Sequence, residues 1–274
     1  MCRRDDVQYY RPLYNLEQVE ILRGANALLF GRGGTGGLIN RVTKKAELGE
    51  QFTGYQASVD SFGAFGAQID TNFAVSDTAA IRINAMYESL ENHRDFYDGD
   101  RFGLNPTAKM ALSPNTTLYL SYEFIDHERF TTELEALLLR GVLQHQFNDT
   151  LKARVSASYS DYDKLYQNFY ASSFDQAADP TRVGIDGYVD TTQRQSFTLT
   201  GDLIGEFETG SIGHTFVAGA EYIDTSNDND RFNAFWSGSS DDVEFFLVQR
   251  PLNFRGGAGV NFDGVATTND FTAD

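Results

Sequence analysis

Gly31, Gly33 and Gly36, in the stretch FGRGGTGGLIN at residues 30–40, stand at the Gly-x-Gly-x-x-Gly spacing of a dinucleotide-binding turn. Such glycines let a backbone approach a pyrophosphate, which is then held at the N-terminus of the following helix. Here the following residues are LINRVTKKAELGEQ, with β-branched Ile39, Val42 and Thr43 and an interrupting Gly49. That run offers no helix. A P-loop needs Gly-Lys-Ser/Thr after its spacer, whereas Gly36 is followed by Gly37 and Leu38. The glycines therefore do not predict a nucleotide site. Other chemistry is equally sparse. His93, His127, His145 and His214 have no metal-ligand spacing, Cys2 is the single cysteine, and neither Gly-x-Ser-x-Gly nor His-Glu-x-x-His occurs. No enzyme and no protein-held metal or cofactor is predicted.

The elements that carry these glycines are β-strands. The chain has 22 Phe, 14 Tyr and 25 Gly against 5 Pro, a mixture of strand formers and turn formers. A net charge of -17 excludes nucleic acid as a partner, because phosphates need a positive field. The same balance suits solvated acidic loops, or a cationic or metal-chelate ligand. No apolar run approaches the roughly 18 residues of a membrane helix. A barrel strand, however, hides its membrane signal in alternation, so a mean hydropathy of -0.38 does not exclude one.

Period-two alternation is pervasive after Tyr55. Leu151, Ala153, Val155, Ala157 and Tyr159 alternate with Lys152, Arg154, Ser156 and Ser158. Ile81, Ile83, Ala85 and Tyr87 do the same, as do Leu118, Leu120, Tyr122 and Phe124, and Phe197, Leu199, Leu203 and Phe207. The pattern predicts about nine strands of about ten residues, long enough for a tilted membrane crossing. Short SDT, SPNT and NDT turns at Ser76, Ser113 and Asn148 each lead into a new strand. Residues 89–101, 164–192 and all those after Thr225 read as long loops. Tyr55, Phe73, Tyr87, Tyr122, Phe147, Tyr159, Phe207 and Tyr222 near strand ends would form an aromatic girdle. A soluble sandwich also alternates, but with shorter strands.

Residues 14–45, YNLEQVEILRGANALLFGRGGTGGLINRVTKK, closely resemble the C-terminal end of the plug domain of TonB-dependent outer-membrane receptors, above all the ferric-siderophore branch. The matching residues are Glu20, Ile21, Leu22, Arg23 and Gly24, then Phe30 and Gly31, the cluster Gly33, Gly34, Gly36 and Gly37, then Ile39, Asn40, Thr43 and Lys44. Ala25 departs from the family, which usually has proline there. The resemblance implies that the glycines build turns in a small sheet packed inside a barrel. It also implies an all-β fold: residues 1–46 as the last part of a plug, residues 47–274 as the first part of an antiparallel, up-and-down transmembrane β-barrel.

By the same resemblance the ligand is a ferric siderophore, the energy source is TonB, and the location is the outer membrane of a Gram-negative bacterium. Gln8, Tyr9, Tyr10, Arg11 and Tyr14 become candidate ligand contacts, with packing of the tyrosines against the wall as the alternative. Arg23 is a candidate partner for wall carboxylates, of which Glu88, Glu123, Glu206 and Glu221 fall on the polar face of their strands. Family barrels have about 22 strands, so the expectation is a piece of a longer receptor, unable to transport alone. The loop before Glu135 is shorter than the family usually shows, and the sequence leaves open whether it marks an internal deletion. The competing classes are a passive porin and a soluble β-rich binding protein.

Overall fold

The computed structural model describes residues 12–23, 37–93, 98–129, 131–175, 177, 182–234, 243–247 and 265–272. These form two separate sheets. The first pairs β1 (Leu16–Arg23) antiparallel with β2 (Gly37–Thr43). β2 occupies the place where a nucleotide fold would need a helix, so the structure agrees with the rejection of that motif. Gly37 has φ +136°, and a Cβ there would strike the carbonyl oxygen of Leu22 across the pair. Only glycine fits that position without strain. Gly24, Gly31, Gly33 and Gly36 lie outside the described residues.

The second sheet is a meander. It runs through β3 (Phe52–Val59), β4 (Phe65–Ser76), β5 (Ala79–Glu91), β6 (Asp98–Ser113), β7 (Thr116–Arg129), β8 (Thr132–Asn148), β9 (Leu151–Asp175), β10 (Arg182–Thr209) and β11 (Ile212–Ala234). From β4 onward each pairs antiparallel with its predecessor. Two short strands complete it, β12 (Glu244–Leu247) on the start of β10 and β13 (Val265–Thr272) on β11.

Register turns the alternation into two chemically different faces. Phe73, Ile81, Ala108, Leu120, Gly141, Ala157, Leu199 and Tyr222 stand side by side on adjacent strands from β4 to β11. One residue away, on the opposite face, runs Asn72, Arg82, Thr107, Ser121, Arg140, Ser158 and Thr198. The apolar row is exposed, with Leu120 at 42% and Tyr222 at 59%, whereas Asn72 and Arg82 on the polar face are buried. A soluble sandwich buries its apolar faces and wets its polar ones. This sheet does the reverse, as a wall between hydrocarbon and a polar lumen must. The aromatic side chains named for a girdle all fall on the exposed face by this alternation.

The strands outrun the expectation. The sequence pattern predicts a loop over residues 164–192, but β9 has 25 residues and β10 has 28, and β11 continues through Ala234. Crossing a bilayer takes only about 9–11 residues. Beyond the lipid both faces are wet, so the apolar half of the alternation disappears while the hydrogen-bonded ladder continues. The connection before Glu135 is short, with β7 ending at Arg129 and β8 beginning at Thr132.

Candidate functional site

The polar face of the large sheet carries two groups of side chains. The first docks the small hairpin. Lys44, at the end of β2, donates from its backbone N to the Asn15 carbonyl at 2.8 Å and from Nζ to the Tyr14 carbonyl at 2.9 Å. The same ammonium lies 3.0 Å from Asp70 on β4. Asp70 in turn accepts from the buried Arg82 guanidinium, which also reaches Glu47 at 2.9 Å and Glu17 at 3.9 Å. Asn72, wholly buried, clips the following linker: its Nδ2 donates to the carbonyls of Glu47 and Glu50, and its Oδ1 accepts from the Glu47 N–H. Every charge here has a partner, which a desolvated cluster requires.

Tyr14 and Asn15 complete the contact. The Tyr14 ring lies over Gly103, where a Cβ would stand 2.9 Å from the ring carbons. Burial, with the Glu123 carboxylate nearby, pushes the Tyr14 phenol well above its usual pKa. Asn15 donates to Glu123 at 2.8 Å. Tyr14 is therefore wall packing and not an open ligand contact, while Gln8, Tyr9, Tyr10 and Arg11 lie outside the described residues. Within the hairpin, Glu20 and Asn40 of the glycine motif face each other and bond at 2.7 Å. Thr43 sits opposite Leu16.

The carboxylates weighed as partners for Arg23 are placed elsewhere. Glu88 pairs with Arg101 at 2.9 Å, Glu123 with Asn15, and Glu206 and Glu221 are exposed on β10 and β11. Arg23 ends β1 opposite Gly37, and among the described residues it makes no ion pair. The ionic contact of the hairpin and its linker with the wall runs instead through Glu17, Lys44 and Glu47. Acids and bases on a linker cannot be matched to wall partners from sequence spacing, because the pairing depends on where the hairpin seats.

The second group lies further along the same face, in the strand extensions. Tyr166 and Tyr170 on β9, Tyr188 on β10 and Arg231 on β11 share the face of Arg82 and Glu123 by alternation and register. The Arg231 guanidinium stacks 4.3 Å from the Tyr188 ring centroid and is held bidentately by Asp190 at 2.6 and 2.7 Å. The Tyr166 and Tyr170 rings are each 6.1 Å from Tyr188. The Tyr170 hydroxyl donates to Asp186 at 2.6 Å. Desolvation, with Tyr188 and Asp190 beside it, raises the Tyr166 phenol, so it remains a neutral donor. Aromatic faces with fixed polar ends suit a ligand with an apolar scaffold and polar groups. Sequence reasoning missed this patch, although Tyr162, Tyr166 and Tyr170 recur every fourth residue and so share one face of a strand.

No family model matches the chain. It is 30% identical over 250 residues to the metal-pseudopaline receptor CntO of Pseudomonas aeruginosa, covering 78% of this chain and 34% of that protein. It is 26% identical over 265 residues to the probable TonB-dependent receptor BfrD of Bordetella pertussis, covering 84% and 35%. The fold is similar to that of the ferripyoverdine receptor of the outer membrane of Pseudomonas aeruginosa bound to ferripyoverdine. That match has a TM-score of 0.76 at 17% identity, over 95% of this chain and 38% of the other. The chain spans about a third of the length of the curated relatives it matches. The lipid-facing meander, the hairpin docked on its inner wall and these relatives lead to one conclusion: the chain belongs to the TonB-dependent receptors.

Proposed function

We propose that this chain is the plug end and the first barrel strands of an outer-membrane receptor that imports a ferric siderophore with energy delivered through TonB. On this reading residues 1–46 belong to the plug and residues 47–274 to the barrel, a division that falls between the two sheets. The iron chelate is cargo, bound first by the tyrosine and arginine patch of the strand extensions.

One observation carries the reading: a hairpin seated on the inner wall through Lys44, Asp70, Arg82 and the ring of Tyr14 over Gly103. A passive porin leaves its wall to water, and a soluble binding protein would not expose the row from Phe73 to Tyr222. CntO is named as a metal-pseudopaline receptor, and the ferripyoverdine receptor was solved bound to ferripyoverdine, which supports the cargo class.

Deleting the gene of the complete receptor tests it. Growth on siderophore-bound iron should fall, and restoration should require both that gene and TonB. Uptake of the chelate without TonB would turn the reading toward a passive pore.

A further inference from the structure

In a chain of net charge -17, four cations gather at the inner wall near the short-turn end, and among the described residues none of them enters an ion pair. Lys109 and Tyr119 face each other on β6 and β7, and the ammonium of Lys109 stands 5.7 Å from the Tyr119 centroid. The Lys45 ammonium, from the linker after β2, stands 5.5 Å from the same ring. Arg140 on β8 and Arg154 on β9 share that face, flanking Val142, which is opposite Tyr119. All four are open to the lumen at least in part, with Lys45 and Arg140 exposed.

None of the four makes an ion pair among the described residues. Asp202 is opposite Arg154 in register, yet its carboxylate leans over Gly219 on the far strand. Partial burial of its ammonium, and after it the charges of Arg154, Arg140 and Lys109, lower the Lys45 pKa. Like charges held this close are costly unless something neutralises them. Elsewhere on the same wall every buried arginine is paired, as Arg82 is with Asp70 and Arg101 with Glu88.

We propose that Lys45, Lys109, Arg140 and Arg154 form a binding site for a small polyvalent anion, of the polycarboxylate kind, on the barrel wall below the hairpin. Two forked guanidiniums can take carboxylates bidentately while the two ammoniums act as point charges. The Tyr119 ring holds both ammoniums in place by cation–π contact. The site stands well apart from the tyrosine patch of the strand extensions. It rests on the importer reading only in naming a chelate's carboxylates as the anion, met after the cargo has passed the hairpin.

The test uses the complete receptor in detergent, titrated calorimetrically with citrate and, separately, with inorganic phosphate. Citrate should bind, weaken steeply as salt rises from low to high ionic strength, and outcompete phosphate. The triple variant Lys109→Gln, Arg140→Gln, Arg154→Gln should bind citrate at least tenfold more weakly, with a folded barrel verified by heat-modifiable gel mobility. Should that variant not fold, Arg140→Lys with Arg154→Lys keeps the charge, and should retain salt-dependent citrate binding. A wild type that binds neither anion overturns the site and shows the cations neutralised within the complete protein. Equal affinity in wild type and triple variant overturns it too. Phosphate binding more tightly than citrate would overturn the carboxylate assignment. Citrate binding in a receptor that imports no chelate would instead remove the importer reading and leave the site standing.

Discussion

Arg82 grips Asp70 with two parallel hydrogen bonds, Nε to Oδ1 at 2.7 Å and Nη2 to Oδ2 at 2.8 Å, across β5 and β4. The same carboxylate takes the hairpin's Lys44, so one acid joins wall to wall and wall to plug. Removing it leaves the Lys44 ammonium facing the buried Arg82 guanidinium, which keeps only the carboxylates of Glu47 at 2.9 Å and the more distant Glu17. Asp70→Ala should destabilise the seated hairpin by about 3 kcal/mol, more than Lys44→Ala does. Denaturant titration of the two variants would show the difference, and cells carrying D70A should admit bulky antibiotics if the plug loosens.

Gly103 tests the other anchor. A methyl group there meets the Tyr14 ring at 2.9 Å, closer than carbon atoms approach, so Gly103→Ala should cost about 1–3 kcal/mol by overpacking. Combining it with Tyr14→Ala should cost less than the sum of the two single changes, because the clash then disappears. Strict additivity in a double-mutant cycle would mean that the ring does not sit on Gly103.

The two faces of β10 should respond oppositely to charge. Leu199 points outward between Ala157 and Tyr222, while its neighbour Thr198 points inward beside Ser158. Leu199→Arg should lower folding stability in lipid vesicles by about 2–4 kcal/mol, whereas Thr198→Arg should be tolerated in the polar lumen. The fraction of folded barrel on an unboiled gel measures both, and the reverse order would invert the assigned faces.

His127 supplies a pH dependence. It lies on β7 between Asp126 and Glu128, whose outward carboxylates set this part of the strand beyond the hydrocarbon. It is buried, and Arg101 Nε donates to its Nδ1 at 3.2 Å, which fixes that nitrogen as an acceptor. Burial, Arg101 and Arg129 lower its pKa from 6.5 to about 4. Between those values the unfolded chain binds the proton and the folded one does not. His127 therefore stabilises the fold fully above pH about 6.5, and that contribution is lost as pH falls toward 4. His127→Gln should flatten the stability profile across that window relative to wild type, and an unchanged slope would count against it.

Tyr188 is the centre of the proposed cargo patch, stacked under Arg231 with Tyr166 and Tyr170 at its sides. Tyr188→Ala should weaken ferric-siderophore binding about tenfold, or ~1.4 kcal/mol, without altering barrel folding. Tyr188→Phe should largely restore it, because the ring face and not the hydroxyl makes the stack. Binding assays on whole cells distinguish the two.

Alternation made the two faces of the wall legible from residues such as Leu199 and Thr198, because a strand must turn successive side chains to opposite sides whatever its surroundings. The motif from Glu20 to Lys44 likewise announced its hairpin, and Glu20 and Asn40 do bond within it. The tyrosine patch was hidden for a physical reason. Where β9 and β10 leave the lipid, Asp161 and Asp163 stand opposite Gln195 and Gln193 on the outward side, so polar residues break the apolar period there and the region resembles a loop. The ion cluster was hidden for another. Asp70, Arg82, Lys44 and Glu47 lie on separate elements, and only the seat of the hairpin on the wall brings them within bonding distance. Local pattern by itself determined which side of each strand meets lipid and which meets water. Tertiary structure alone decided which charges face which, since pairing between distant segments is set by how a rigid hairpin lands on a curved sheet.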